Sequence, residues 1–256
     1  MSASQALWAA RTGGGHVTLS ADEVPADAAA AYVVQRGITE LCGSALVGWK
    51  IGATAQAAMD LLGVSEPFFG PLYEQCFHVS GDEVPIRAEH GAGIETEFVV
   101  GLKADLPVRS QPYTVADVEA AVDWVAPGLE IIGARLASGL AGAGNSLLAD
   151  GGANMDFVLG PKSSDWRQFD LTSHAAALSI NDKEVARGHS GMLLFGDTIG
   201  AVVWLANCAH TAPRGLKAGD VITTGSCTGV IPIGVGDSAR ADFGSMGSVS
   251  ASFMAA

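Results

Sequence analysis

The sequence predicts an α+β protein, a mixed sheet or β-roll with flanking helices and a small helical region at the N-terminus. Segments rich in β-formers fill most of the chain from Ile94 onward, and three or four helical stretches are interspersed among them. Glycine is frequent, 33 of 256 residues, which points to turns and close backbone approaches rather than a helical bundle. With 48% hydrophobic residues the chain can bury a large core as one compact unit. A helical arm is expected over residues 1–45 and the main β-roll over 46–256.

Taken in order, residues 1–25 are mixed and contain the run Gly13, Gly14, Gly15, so they read as a weakly specified arm. From Ala26 to about Leu41 apolar residues recur at helical spacing. Val47 to Gly52 is a short apolar strand interrupted by one lysine. Ala55 to Leu62 reads as a helix with Gly63 as its C-cap. Glu66 to Gln75, punctuated by Pro67, Gly70 and Pro71, reads as a loop. Ile94 to Leu102 alternates as a strand does. Thr114 and Asp117 resemble a capping box that opens a helix through Trp124, ended by Pro127. Leu129 to Leu136 is a second strand, and a glycine-rich loop from Gly139 to Asn154 leads to another at Phe157. Ala176 to Gly188 forms a hairpin with Asn181 and Asp182 at its turn. Phe195 to Ala209 is a helix apolar on most faces, and therefore buried. Short strands over Asp220–Ser226, Gly229–Gly234 and Ser248–Phe253 complete the chain.

Charge narrows the function. Fourteen Lys and Arg stand against 27 Asp and Glu, a net of −13, so nucleic acid and anionic membrane surfaces are excluded as partners. A surface of that sign needs a locally positive site to take an anionic substrate, and a bound divalent cation supplies one. The four cysteines (Cys42, Cys76, Cys208, Cys227) form no CxxC pair and read as reduced, mostly buried thiols, which points to a cytoplasmic protein. No stretch approaches the roughly 18 apolar residues of a spanning helix, and no secretion signal is visible.

The chemistry centres on Ile94–Phe98. Side chains alternate along a strand, so Glu95 and Glu97 share one face while Ile94, Thr96 and Phe98 take the other. Glu130 lies in an equally apolar strand between Leu129 and Ile131. Two carboxylates about 5 Å apart at an effective dielectric of 20 repel by roughly 3 kcal/mol. Three gathered in a core need a cation or raised pKa values. Hard oxygen ligands suit Mg²⁺ or Mn²⁺ better than zinc. Alternation alone leaves a solvated acidic face open.

Resemblance separates the two. The segments GWKIG, LGVSEPFFGPL, IETEF, APGLEIIGARL, LLADGGANMDFVLG, AVVWLAN and GDVITTGS occur in this order over about Val24 to Phe253. They resemble the 2-keto-4-pentenoate hydratase and 4-oxalocrotonate decarboxylase branch of the fumarylacetoacetate hydrolase superfamily. The resemblance implies a mixed β-roll with Mg²⁺ (or Mn²⁺) held inside it by Glu95, Glu97 and Glu130, the last within Pro127–Glu130. It also implies a 2-oxo or 2-hydroxydienoic acid substrate chelated by that ion, and a homo-oligomer, with a paralogous pathway enzyme as a further partner. The lysine of the family's G-x-K-I-G motif falls on Lys50, expected to move protons along the substrate chain. A strand lysine ordinarily snorkels to solvent instead. Asp150 matches the aspartate of an A-D-N-A-S segment, where a loop aspartate capping backbone amides is the alternative. Thr224 and Gly225 match a turn beside the substrate.

Three positions depart from the family pattern. Phe68 stands where hydratases commonly carry an acid and decarboxylases an apolar residue, and is expected to line the substrate site. Gly93 replaces a basic residue and Ala153 a serine. A hydratase of 2-hydroxy-2,4-dienoic acids leads, ahead of a 4-oxalocrotonate-type decarboxylase, a C–C hydrolase using His16 and Glu23, and a non-catalytic paralogue partner. Gly188–Met192 lacks the final glycine of a nucleophile elbow, and Gly139–Gly144 is not a dinucleotide fingerprint. His78 and His90 flank the acidic strand and read as hydrogen-bonded structural residues.

Overall fold

Local signals set the elements of the computed structural model, which describes residues 1–256. α1 (Ala3–Gly13) opens on a full capping box between Ser2 and Gln5, and α2 (Ala28–Cys42) starts where the Asp27 carboxylate accepts from the Ala30 amide and stops at left-handed Gly43. β1 (Leu46–Gly52) and α3 (Gln56–Leu62) follow, the latter ended by Gly63 at φ +72°. Next come β2 (Phe68–Tyr73), β3 (Phe77–Val79), β4 (Glu83–Ile86) and β5 (Gly93–Leu102). The Thr114–Asp117 capping box opens α4 (Val115–Ala121), which runs directly into β6 (Val122–Ile132). α5 (Gly144–Ala149) and β7 (Asn154–Leu159) precede the hairpin of β8 (Ala175–Ile180) and β9 (Lys183–His189). Asn181 and Asp182 turn that hairpin with φ of 50° and 63°. α6 (Thr198–Asn207), β10 (Val221–Ser226), β11 (Ile231–Pro232), β12 (Ser238–Asp242) and β13 (Ser248–Ala255) end the chain.

Two mixed sheets result. The larger runs β2-β1-β10-β5-β6-β7-β3, with β11 added on β5, and the smaller runs β4-β13-β12-β8-β9. β1 is parallel to β10, β3 to β7 and β4 to β13, and the other pairs are antiparallel. One face of the large sheet joins the main core with Phe98, Val100, Ile131 and the buried side of α6. Its other face carries a small apolar cluster of Val99, Trp124, Ala126, Phe157 and Leu159. No helix is long and apolar enough to cross a membrane.

Five expectations are corrected. Residues 1–25 contain α1, because Leu7 and Ala10 bury one face and the glycine run begins only at its end. Glu66–Gln75 contains a fully buried strand, β2. Its Pro71 is tolerated because β2 pairs only with β1 and keeps one free edge. α4 stops at Ala121, and the strand expected from Leu129 already begins at Val122. Pro127 fits inside it because its missing N–H faces the β7 side just past Gly128, the last residue paired there. The glycine-rich loop encloses α5. Of the cysteines, all free, only Cys227 is buried.

Gly48 lets β1 lie against β10, since a Cβ there would stand 1.8 Å from the Val221 carbonyl oxygen. Gly48→Ala is expected to cost about 3 kcal/mol through overpacking, lowering Tm by roughly 6–12 °C in a thermal melt. An unchanged Tm would show that the strands can part without penalty.

Candidate functional site

Strand register builds an acidic cluster. Glu95 on β5 lies directly opposite Glu130 on β6, and Glu97, two residues along, faces Gly128. Opposed residues of an antiparallel pair share a face, so all three carboxylates project to one side. One oxygen from each lies within 4.8 Å of the others, Glu97 and Glu130 buried and Glu95 partly so. Burial, and then the Glu130 carboxylate, push Glu95 up to about 7, with Lys50 opposing. Glu97 is pushed well above the ordinary carboxylate range by burial and its two acidic neighbours, against an opposing Gly225 amide.

The partners of these groups leave specific atoms free. The Gly225 amide donates to Glu97 Oε2 at 2.7 Å, and Asn154 Nδ2 donates to Glu130 Oε1 at 3.1 Å. Lys50 Nζ stands 3.3 Å from that same Oε1 and donates to the Gly152 carbonyl at 2.6 Å. Glu130 Oε2 is buried and has no hydrogen-bond partner. A buried carboxylate oxygen without a donor, on a residue that converges with two further carboxylates, fits an oxygen-seeking divalent cation. The donor set contains no thiolate or imidazole, which disfavours zinc.

The sequence-predicted residues fall as follows. Lys50 does not snorkel; it is 2% exposed, and its ammonium lies 5.3 Å from the centre of the buried Phe68 ring. Thr224 is buried and its hydroxyl donates to the Phe98 carbonyl, tying β10 to β5. Gly225 serves through its amide. Its φ is +107°, and a Cβ there would stand 2.1 Å from Thr54 Oγ1, which leaves no room for a side chain. Asp150 is paired with buried Arg135, whose Nε donates to Oδ1 at 2.7 Å, while Oδ2 has no partner. Gly93 is packed under Val230, which a Cβ would meet at 2.5 Å, and Ala153 sits at φ +62°.

Other residues missed by sequence reasoning are Arg135, Asn154 and Gly152. Gly152 must lack a side chain, since a Cβ would meet the Phe68 ring at 2.3 Å and Lys50 Cε at 2.6 Å. The paired glycines of Asp150–Ala153 were the available signal; nothing local marked Asn154. The histidines are structural. His78 bonds Asp156 at 2.8 Å, and His90 bonds the Gly15 carbonyl at 2.8 Å. His16 packs edge-on to His90, while Glu23 accepts from Ser20, so the hydrolase pair is not assembled.

Comparison with known proteins follows the same lines. No family model matches the chain. It is 31% identical over 255 residues to a 2-keto-4-pentenoate hydratase of Paraburkholderia xenovorans (strain LB400), covering 98% of this chain and 93% of that one. It is 33% identical over 205 residues to a 2-hydroxyhexa-2,4-dienoate hydratase of Comamonas testosteroni, covering 78% and 75%. The solved structure of 4-oxalocrotonate decarboxylase from Pseudomonas putida G7, complexed with magnesium and adipate, superposes with a TM-score of 0.87 at 28% identity, covering 98% and 96%.

A raised carboxylate pKa makes the site sensitive to pH. Glu95 binds its proton more tightly folded (about 7) than unfolded (ordinary value 4.5), so its contribution is fully present below 4.5 and lost as pH rises through 7. In EDTA the stability contributed by this site is expected to fall between about pH 5 and 8, read as a falling Tm, and added Mg²⁺ at the upper end to restore it. A Glu95→Gln variant with the same Tm profile as the parent would sink this account.

Proposed function

Because the chain belongs to the 2-keto-4-pentenoate hydratase and 4-oxalocrotonate decarboxylase branch of the fumarylacetoacetate hydrolase superfamily, we propose that it is a hydro-lyase for 2-hydroxy-2,4-dienoic acids. The product is a 4-hydroxy-2-oxo acid. The observation that carries the reading is the set of three converging carboxylates with the unpartnered Glu130 Oε2 beside buried Lys50. Glu95, Glu97 and Glu130 are the residues that would hold Mg²⁺, or Mn²⁺. When bound, the cation supplies Lewis acidity that favours negative charge on the 2-oxygen and carboxylate of the substrate.

The chain's own groups do the rest. Lys50 Nζ is the proton carrier: a proton arrives at C5 as the 2-hydroxyl loses its own, leaving a 2-oxo-3-enoate whose C4 accepts water. The Gly152 carbonyl and Glu130 hold that amine in place at 2.6 and 3.3 Å. Phe68 forms an apolar wall beside it and keeps bulk water from the ammonium. Asp150, fixed by Arg135, and the Thr224–Gly225 turn complete the substrate side in this reading, with Asp150 Oδ2 free to accept a hydrogen bond. Residues 1–45 act as a helical arm on a catalytic roll of residues 46–256. The active form is a cytoplasmic homo-oligomer, with a paralogous pathway enzyme as its companion.

Two observations favour a second reading, loss of CO₂ from a 4-oxalocrotonate-type acid. Phe68 is the apolar kind of residue that decarboxylases carry there, and the superposition on a decarboxylase is close. Ultraviolet absorbance of 2-hydroxypenta-2,4-dienoate is expected to fall with enzyme and Mg²⁺ but not with EDTA. CO₂ release from 2-oxohex-3-enedioate, with no change in the dienoate, would select the decarboxylase. Lys50→Met is expected to lower kcat by about 10²–10⁴-fold with the fold intact by circular dichroism. Unchanged turnover would remove Lys50 from the chemistry.

A further inference from the structure

Glu130 is the one member of the acidic cluster with an oxygen gripped from two sides, and one of those grips leads away from the site. Asn154, the first residue of β7, donates from Nδ2 to Glu130 Oε1 at 3.1 Å. Asn154 is itself 2% exposed and held by two arginines, Arg135 buried and Arg11 partly so. Arg135 Nη1 donates to its backbone carbonyl at 3.0 Å, and Arg11 reaches from α1 to the same carbonyl at 2.5 Å. Arg11 Nη2 stands 3.4 Å from Asn154 Oδ1 and also donates to the Met155 carbonyl. An amide with its oxygen turned to a guanidinium must present its NH₂ on the other side, where Glu130 lies. Arg11 favours that orientation, and both arginines hold the backbone from which the amide projects.

We propose that Asn154 is a positioning residue for the divalent cation, its amide aimed by Arg11 of the N-terminal helix and its backbone carbonyl anchored by Arg135. By occupying Glu130 Oε1 together with Lys50, it leaves Oε2, the buried oxygen with no partner, as the oxygen free for an ion shared with Glu95 and Glu97. Freely rotating, Glu130 would place either oxygen there and lose orientational entropy on binding. Hydrogen bonds that fix ligating side chains are worth about 10–100-fold in metal affinity. The chain of contacts also gives α1 a function: through the Arg11 guanidinium it braces a ligand on β6.

This inference rests on the metal site of the proposed function, so the experiment separates the two. Mg²⁺ binding is measured by titration calorimetry for the parent, Asn154→Ala and Asn154→Asp, with apo-protein Tm and circular dichroism as controls. The parent is expected to bind. Asn154→Ala is expected to raise the Mg²⁺ Kd about 10–100-fold. Asn154→Asp keeps the shape but replaces the donor by a carboxylate, whose charge attracts the cation, so it is expected to bind Mg²⁺ more tightly than Asn154→Ala. Saturating Mg²⁺ restores most of kcat in Asn154→Ala, which a general packing defect would not allow. Parental Kd in folded Asn154→Ala overturns the proposal while leaving the metal site standing. A parent that binds no divalent cation overturns the functional reading, and this inference with it. Asn154→Ala removes only a small polar group at a strand end, so it serves should the aspartate variant not fold.

Discussion

Repulsion among three carboxylates governs this structure. Glu95, Glu97 and Glu130 project from adjacent strands onto a face that otherwise carries Val99, Ala126 and Phe157, so water cannot dissipate their charge. Each carboxylate that has a donor gets it from a rigid source: the Gly225 amide, the Asn154 side chain and the Lys50 ammonium. Those donors account for one oxygen of Glu97 and one of Glu130. What remains is a region of concentrated, under-compensated negative charge in a protein already at −13, a combination that makes sense for a cation and for little else.

Backbone geometry around the cluster follows from the same demand. Lys50 can approach Glu130 only because Gly152 carries no side chain and turns its carbonyl to the amine. Gly151, Gly152 and Ala153 are all left-handed, with φ of 70°, 70° and 62°. That costs least at glycine, and at Ala153 the strain is sustained by the buried Arg135–Asp150 pair and the start of β7. The replacements at Phe68 and Gly93 have a plain packing basis. The Phe68 ring fills space against Gly52, Gly152 and the Lys50 stem, and Gly93 makes room for Val230.

Local sequence carried a good part of this. The period-2 alternation of Ile94–Leu102 fixed which face the glutamates share, since a strand has only two faces. Capping residues placed the start of α4, and Asn181–Asp182 placed the β8–β9 turn, because these are signals carried within a few residues of the chain. The ordered motifs from GWKIG to GDVITTGS identified the family before any contact was known.

Tertiary structure alone decided the pairing of Glu95 with Glu130, the burial of Lys50 and the roles of Asn154 and Arg135. Register between strands about 35 residues apart depends on which faces find a core, and no local propensity encodes that. Pro71 and Pro127 misled for the same reason. A proline breaks a strand only where its missing N–H was needed, and that is set by whether a neighbouring strand lies on that side. The residue types were legible along the chain; which atoms they saturate, and which they leave free for an ion, depended on the fold.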